Sequence, residues 1–136
     1  MKSILRAGLA VVIGGAFWAP AEAHHAVNAQ FDPSREVAFT GMLTHFDNRA
    51  PHAFWTFVDP KTKAEWKFES VSPATMRKAG IKLKEDLVEG EMYTVYYNPP
   101  RNDSHTGTVR SIKIRDKRID FTSFYIVPKS TEGESK

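Results

Sequence analysis

The stretch Ser72-Pro73-Ala74-Thr75-Met76-Arg77-Lys78-Ala79-Gly80 decides the fold. Serine is a good N-cap, because its hydroxyl accepts a hydrogen bond from a free amide of the first turn. Proline suits the first helical turn, where its missing N–H costs nothing. Ala74 to Ala79 carries a short helix, and Gly80 takes the left-handed position just past its end. On both sides of this helix the chain reads as strand.

Immediately upstream, Ala64 to Glu69 sets Ala64, Trp66 and Phe68 against Glu65, Lys67 and Glu69. That alternation is what one buried and one wet face require. Asp59-Pro60-Lys61-Thr62-Lys63 is a hairpin loop. His52 to Asp59 is a strand apolar on both faces, with Phe54 and Val58 on one and Ala53, Trp55 and Phe57 on the other. Asp47 to Pro51 is a turn. Glu36 to Phe46 is the first strand, with Val37, Phe39 and Leu43 on one face and Gly41 marking a bulge or bend. His24 to Ser34 shows no period and reads as an extended arm. Downstream, Ile81, Leu83 and Leu87 are expected to plug one end of the core. Glu89-Gly90 turns into a strand over Met92 to Tyr97. Asn98 to Gly107 is a loop, and Thr108 to Arg115 a fifth strand with Ile112 and Ile114 on its core face. Residues 119–127 are rich in β-formers and read as an added edge strand. Residues 128–136 have the composition of a disordered tail.

The order β-β-β-α-β-β defines a mainly β fold. It predicts a five-stranded OB-like Greek-key barrel with one short helix between strands three and four. A plain antiparallel sandwich is the other architecture this order allows. The position of the helix favours the barrel.

The amino terminus reads as an address. Lys2 and Arg6 form a basic start, and Ala7 to Trp18 is an apolar run within the ~7–15 residues of a signal h-region. It is shorter than the ~20 apolar residues of a spanning helix, so a membrane anchor is the weaker reading. Ala21 and Ala23 supply the small side chains a signal peptidase needs, so the cut falls after Ala23 and the mature chain begins His24-His25. Ala19 and Ala21 offer a second register that leaves Glu22-Ala23-His24-His25 in front. These features predict export to the periplasm, with no membrane anchor after cleavage. The domain organisation is then a leader over 1–23, one barrel domain over 24–127 and a tail.

Composition agrees with this organisation. The 136 residues contain no cysteine, which excludes disulfides, thiolate metal sites and lipid attachment at a cysteine. Nineteen basic residues against 16 acidic ones give a net charge of only +3, with no basic run, so nucleic acid is not an expected partner.

Several motifs carry a family resemblance. They are His24-His25, Phe31-Asp32, Thr40-Gly41, Pro51-His52, Ser72-Pro73 with Arg77 and Gly80, and Pro99-Pro100-Arg101. On these, residues 24–118 resemble a family of small, exported, uncharacterised bacterial proteins built on a domain of unknown function. The family usually reads Asn-Pro-His, whereas here Arg49-Ala50 separates Asn48 from Pro51. The resemblance implies export and a compact β-domain, and no established activity.

The chemistry legible in the chain centres on histidine. As residue one, His24 would offer a free α-amine with a pKa of about 7.7–8.0 and an imidazole of about 6.5. Both release a proton readily to a metal and together close a chelate ring. One further imidazole completes three nitrogens in a T, the arrangement called a histidine brace, and such a donor set favours Cu(II). Copper is therefore the candidate cofactor, and the alternative is that the protein carries none. His52, directly after a turn, is the first choice for the third ligand and His45 the second, while His25 offers a place beside His24. The alternative cut would place His24 third from a free amine, a local peptide chelate. The competing reading is a solvated arm, with His45 and His52 as strand caps. His105, in a polar loop, reads as a surface residue.

Recognition of a small ligand, glycan or peptide on an aromatic face is a second class of function. Trp55, Trp66 and Arg101 are its candidate residues. OB barrels use such rings for oligosaccharides and oligonucleotides. The opposing reading places most of these rings in the core, where aromatics dominate burial. An enzyme is poorly supported, since no Ser-His-Asp set or paired carboxylates in a pocket can be argued. The expectation is a binding protein whose partner is a metal ion or a small ligand.

Overall fold

The computed structural model describes residues 29–124. They form strands β1 (Val37–Asp47), β2 (Phe54–Val58), β3 (Glu65–Glu69), β4 (Met92–Asn98), β5 (Thr106–Ile114) and β6 (Lys117–Asp120). Helices α1 (Pro73–Lys78) and α2 (Leu83–Asp86) lie between β3 and β4, and a 3-10 turn (Thr122–Phe124) follows β6. β1 pairs antiparallel with β2 and β4, β2 with β3, and β4 with β5. A parallel seam, Lys67–Glu69 against Thr106–Thr108, joins β3 to β5 and closes the ring. The result is the expected closed, five-stranded, OB-like barrel. β6 hangs from β5 as an antiparallel extension.

β1 serves two neighbours. Its first half, Val37 to Met42, pairs with β4, and its second half, Met42 to Asp47, pairs with β2. A strand shared in this way must coil, and a bulge supplies the extra twist. That bulge lies between Leu43 and His45 rather than at Gly41, which pairs regularly with Tyr93. Gly41 has a different reason to be glycine. A Cβ there would sit 2.5 Å from Cε1 of the Phe39 ring, which folds over the strand.

The inward faces fill the barrel with Leu43, Trp55, Phe57, Phe68, Val95, Val109 and Ile112, all at 0 or 1 % exposure. Each such side chain contributes roughly 1.5–3 kcal/mol by leaving water. α1 starts as its sequence dictates, with the Ser72 hydroxyl accepting from the Thr75 amide at 3.1 Å. It ends at Gly80, whose φ of +92° is left-handed. Its Met76 is fully buried, and Ile81, Leu87 and partly Leu83 plug the end as expected. The one-turn α2 carrying Leu83 is an addition to the single helix the sequence indicated. β5 begins two residues earlier than expected. The added edge strand starts at Lys117, before the expected 119, and stops at Asp120, whose carboxylate accepts from the Thr122 amide at 2.6 Å and turns the chain; residues 125–127 of that expectation lie outside the described residues. The leader, its cut, and the tail over 128–136 lie outside the described residues.

Candidate functional site

Two loops and the arm define the region of interest. Residues 48–53 join β1 to β2, and residues 99–105 join β4 to β5. The arm lies along the second loop. The Asp32 amide donates to the Pro99 carbonyl and the Arg101 amide to the Gln30 carbonyl, each at 2.9 Å, and Phe31 bridges to Pro100. Phe31 is buried and anchors this pairing. Between arm and loop runs an open polar groove of about 340 Å³, lined by Gln30, Arg101, Asn102, Ser104 and Thr106 among others. The Asp32 carboxyl is held below its ordinary range by hydrogen bonds from the Ser34 hydroxyl and amide, helped by the charges of Arg101 and Arg35.

His52 lies near the end of the first loop, just before β2 and β3 begin to pair through Phe54 and Glu69. Its Nδ1 meets Glu69 Oε1. An ionised carboxylate only accepts, so Nδ1 carries the proton, and Nε2 is the nitrogen left to meet a ligand. The ring is half exposed, at 48 %. His45 has a similar partner elsewhere, with Nδ1 3.3 Å from Glu89 Oε1, which also accepts from the Phe46 amide at 3.0 Å. The two histidines are not brought together. His45 pairs with Thr56, four residues along β2 from His52, or roughly 13 Å at strand rise. At the head of the first loop, Arg49 grips both oxygens of Asp47 at 2.8 and 2.5 Å. That hydrogen bonding lowers the Asp47 carboxyl to about 2, with smaller help from the charge of His45.

His24 and His25 lie outside the described residues. Among the described residues, no group of three or more His, Asp or Glu is arranged to hold a metal ion.

The aromatic candidates separate. Trp55 is at 0 % exposure, so it belongs to the core and not to an outer binding face. This corrects its placement as a ligand-binding residue: β2 turns Trp55 and Phe57 inward, and the ring packs against Phe46, Phe57 and Phe121. Trp66 is half-buried at the seam. Its outer surface is covered by His105, stacked at 4.6 Å with 14° between the planes. His105 lies at the surface as its polar loop implied, but its place on Trp66 was not legible, because no local pattern shows that the β4–β5 loop returns to β3. Lys67 donates its amide to the His105 carbonyl at 2.9 Å, which fixes that return. Two outward rings carry cations: Lys67 Nζ lies 5.1 Å from the Phe54 ring, and the Arg118 guanidinium 3.8 Å from that of Tyr96.

A closed OB-like barrel, clasped by an arm that runs onto its β4–β5 loop, is the class of protein these features define. The chain belongs to DUF6152, a family of unknown function, whose sequence profile matches residues 12–110. A comparison with curated proteins returns no match.

Proposed function

We propose that the protein is an exported, small binding barrel whose mature chain starts at His24 and binds Cu(II) through that residue, with His52 as the third nitrogen ligand. The observation that carries the reading is the His52–Glu69 contact. Metal-ligating histidines characteristically give their other ring nitrogen to a carboxylate, which fixes the tautomer and aims the free nitrogen. Glu69 does this for His52, whose side chain is half exposed.

Chain length is compatible with the pairing. Five residues separate His24 from Ala29, a reach of up to ~17 Å. Ala29 and Thr106 line the same groove, Thr106 pairs with Lys67, and Glu69 lies two residues further along β3, roughly 7 Å. His45 is less well placed. Its partner Glu89 precedes β4, while the arm joins beyond the other end of β4 at Pro99. The seven residue steps from Met92 to Pro99 span roughly 23 Å.

The test is a native mass spectrum of untagged protein from the periplasm with one equivalent of Cu(II) added. A chain starting at His24 that retains one copper, and loses at least tenfold in affinity on His52→Ala, supports the reading. A chain starting at His24 that retains none removes it.

The groove beside Arg101 favours a second reading, recognition of a small polar ligand, glycan or peptide. Arg101→Ala would then abolish binding of a ligand found by screening while the circular dichroism stays unchanged.

A further inference from the structure

The outer face of the β1–β4 ladder carries a feature with no role in the fold. Met42 is 37 % and Met92 49 % exposed, although both are large and apolar. They are cross-strand partners, the last pair of the ladder. Directly opposed residues in antiparallel strands hold their Cβ atoms roughly 4.5–5.5 Å apart. Both side chains point outward, since their neighbours Leu43 and Tyr93 are buried.

His45 joins the same face because of the bulge. In an unbroken strand, position 45 would follow Phe39, Gly41 and Leu43 inward. The register shift between Leu43 and His45 turns it out, to 65 % side-chain exposure. The chain entering β4 wraps against this segment. The Gly90 amide donates to the Leu43 carbonyl at 2.7 Å, the Glu89 carboxylate accepts from the Phe46 amide, and its Oε1 lies 3.3 Å from His45 Nδ1. With Glu89 beside Nδ1, Nε2 is the nitrogen of His45 left to meet a ligand.

Two flexible thioethers and an oriented imidazole thus share one surface. Thioether sulfur is a soft donor that selects Cu(I), and imidazole also suits copper. We propose that Met42, Met92 and His45 form a Cu(I) site on the outer face of β1 and β4. The site shares no residue with the His24–His52 reading and concerns the other oxidation state, so it stands or falls independently.

The sequence makes the test clean. It holds four methionines and no cysteine; Met1 is removed with the leader on the proposed reading of export, and Met76 is fully buried. Sulfur bound to copper would therefore come from Met42 and Met92. The experiment titrates the mature protein with Cu(I) under anaerobic conditions, against a chromophoric Cu(I) chelator, and records X-ray absorption at the copper edge. The expected result is one Cu(I) retained with sulfur neighbours. The double variant M42L/M92L keeps the apolar surface but should lose the sulfur signal and at least tenfold in affinity. His45→Ala should also lose tenfold, and His52→Ala should change nothing. A wild type that retains no Cu(I), or an M42L/M92L variant that binds as tightly as wild type, overturns the proposal. A loss in His52→Ala without one in M42L/M92L also overturns it, and assigns the copper to the amino-terminal reading.

Discussion

Trp55 touches three other rings in the core, yet its indole N–H is buried and meets no acceptor among the described residues. Removing the ring leaves a large cavity, so Trp55→Ala should cost about 3–5 kcal/mol by chemical denaturation. Trp55→Phe should cost much less, because it keeps most of the packing and removes an unpaired donor. A folded Trp55→Ala protein of unchanged stability would contradict the core assignment. Asp47 offers a different test at the same scale. Its carboxyl is lowered from 3.8 to about 2, chiefly by the Arg49 hydrogen bond. A depressed carboxyl stabilises the fold above its ordinary value, and that stabilisation is lost as the pH falls from about 4 towards 2. Arg49→Ala should therefore move the Asp47 titration, followed by carboxyl NMR, upward towards 3.8.

At the scale of elements, α1 rests on its cap. Ser72→Ala removes the acceptor of the Thr75 amide and should cost about 1 kcal/mol. For a domain of this size that lowers Tm by roughly 4–8 °C. An unchanged Tm would mean that Met76, buried beneath the helix, holds the turn without its cap. This element was legible because its signals are local: Ser72, Pro73 and Gly80 each act within one turn. The alternation of Trp66 and Phe68 in β3 was legible for the same reason. The bulge was not. Gly41 carried the conventional mark of a bend, but the twist enters at Thr44, where β1 passes from one partner to the other. One inserted residue reverses the alternation, and so His45 lies outside where the pattern put it inside. The carboxylate partners were hidden by register. Glu69 reaches His52 only because β2 and β3 pair Phe54 with Glu69, and Met42 meets Met92 across 50 residues of chain.

At the scale of the whole molecule, the parallel β3–β5 seam turns an open sheet into a barrel. Its partners are about 40 residues apart, and no local pattern in the sequence announces them. The seam depends on Gly107, which pairs with Phe68. A Cβ at position 107 would lie 2.2 Å from Cδ2 of the Tyr97 ring. That ring cannot retreat freely, because it packs edge-on against Phe68 at 4.9 Å and Trp66 at 6.1 Å. Gly107→Ala must therefore either push Tyr97 into these rings or part β5 from β3. Overpacking of this kind costs about 1–3 kcal/mol. The urea midpoint should fall with little change in slope. Hydrogen exchange locates the damage: amide protection should drop along the seam, at Lys67 and Thr108, while the β1–β2 pairing keeps its own. Gly80→Ala separates this clash from a backbone effect. No atom lies within 4 Å of a Cβ at position 80, but φ is +92°, so its cost of about 1 kcal/mol is conformational and leaves the seam intact. If Gly107→Ala behaved like Gly80→Ala, with a small uniform loss and a protected seam, the Tyr97 ring would not be what demands glycine there. Closure would then rest on the strand hydrogen bonds alone. If protection fails at the seam first, the ring stack of Tyr97, Phe68 and Trp66 is what holds the barrel shut, and His105, seated on Trp66, is its outer cover.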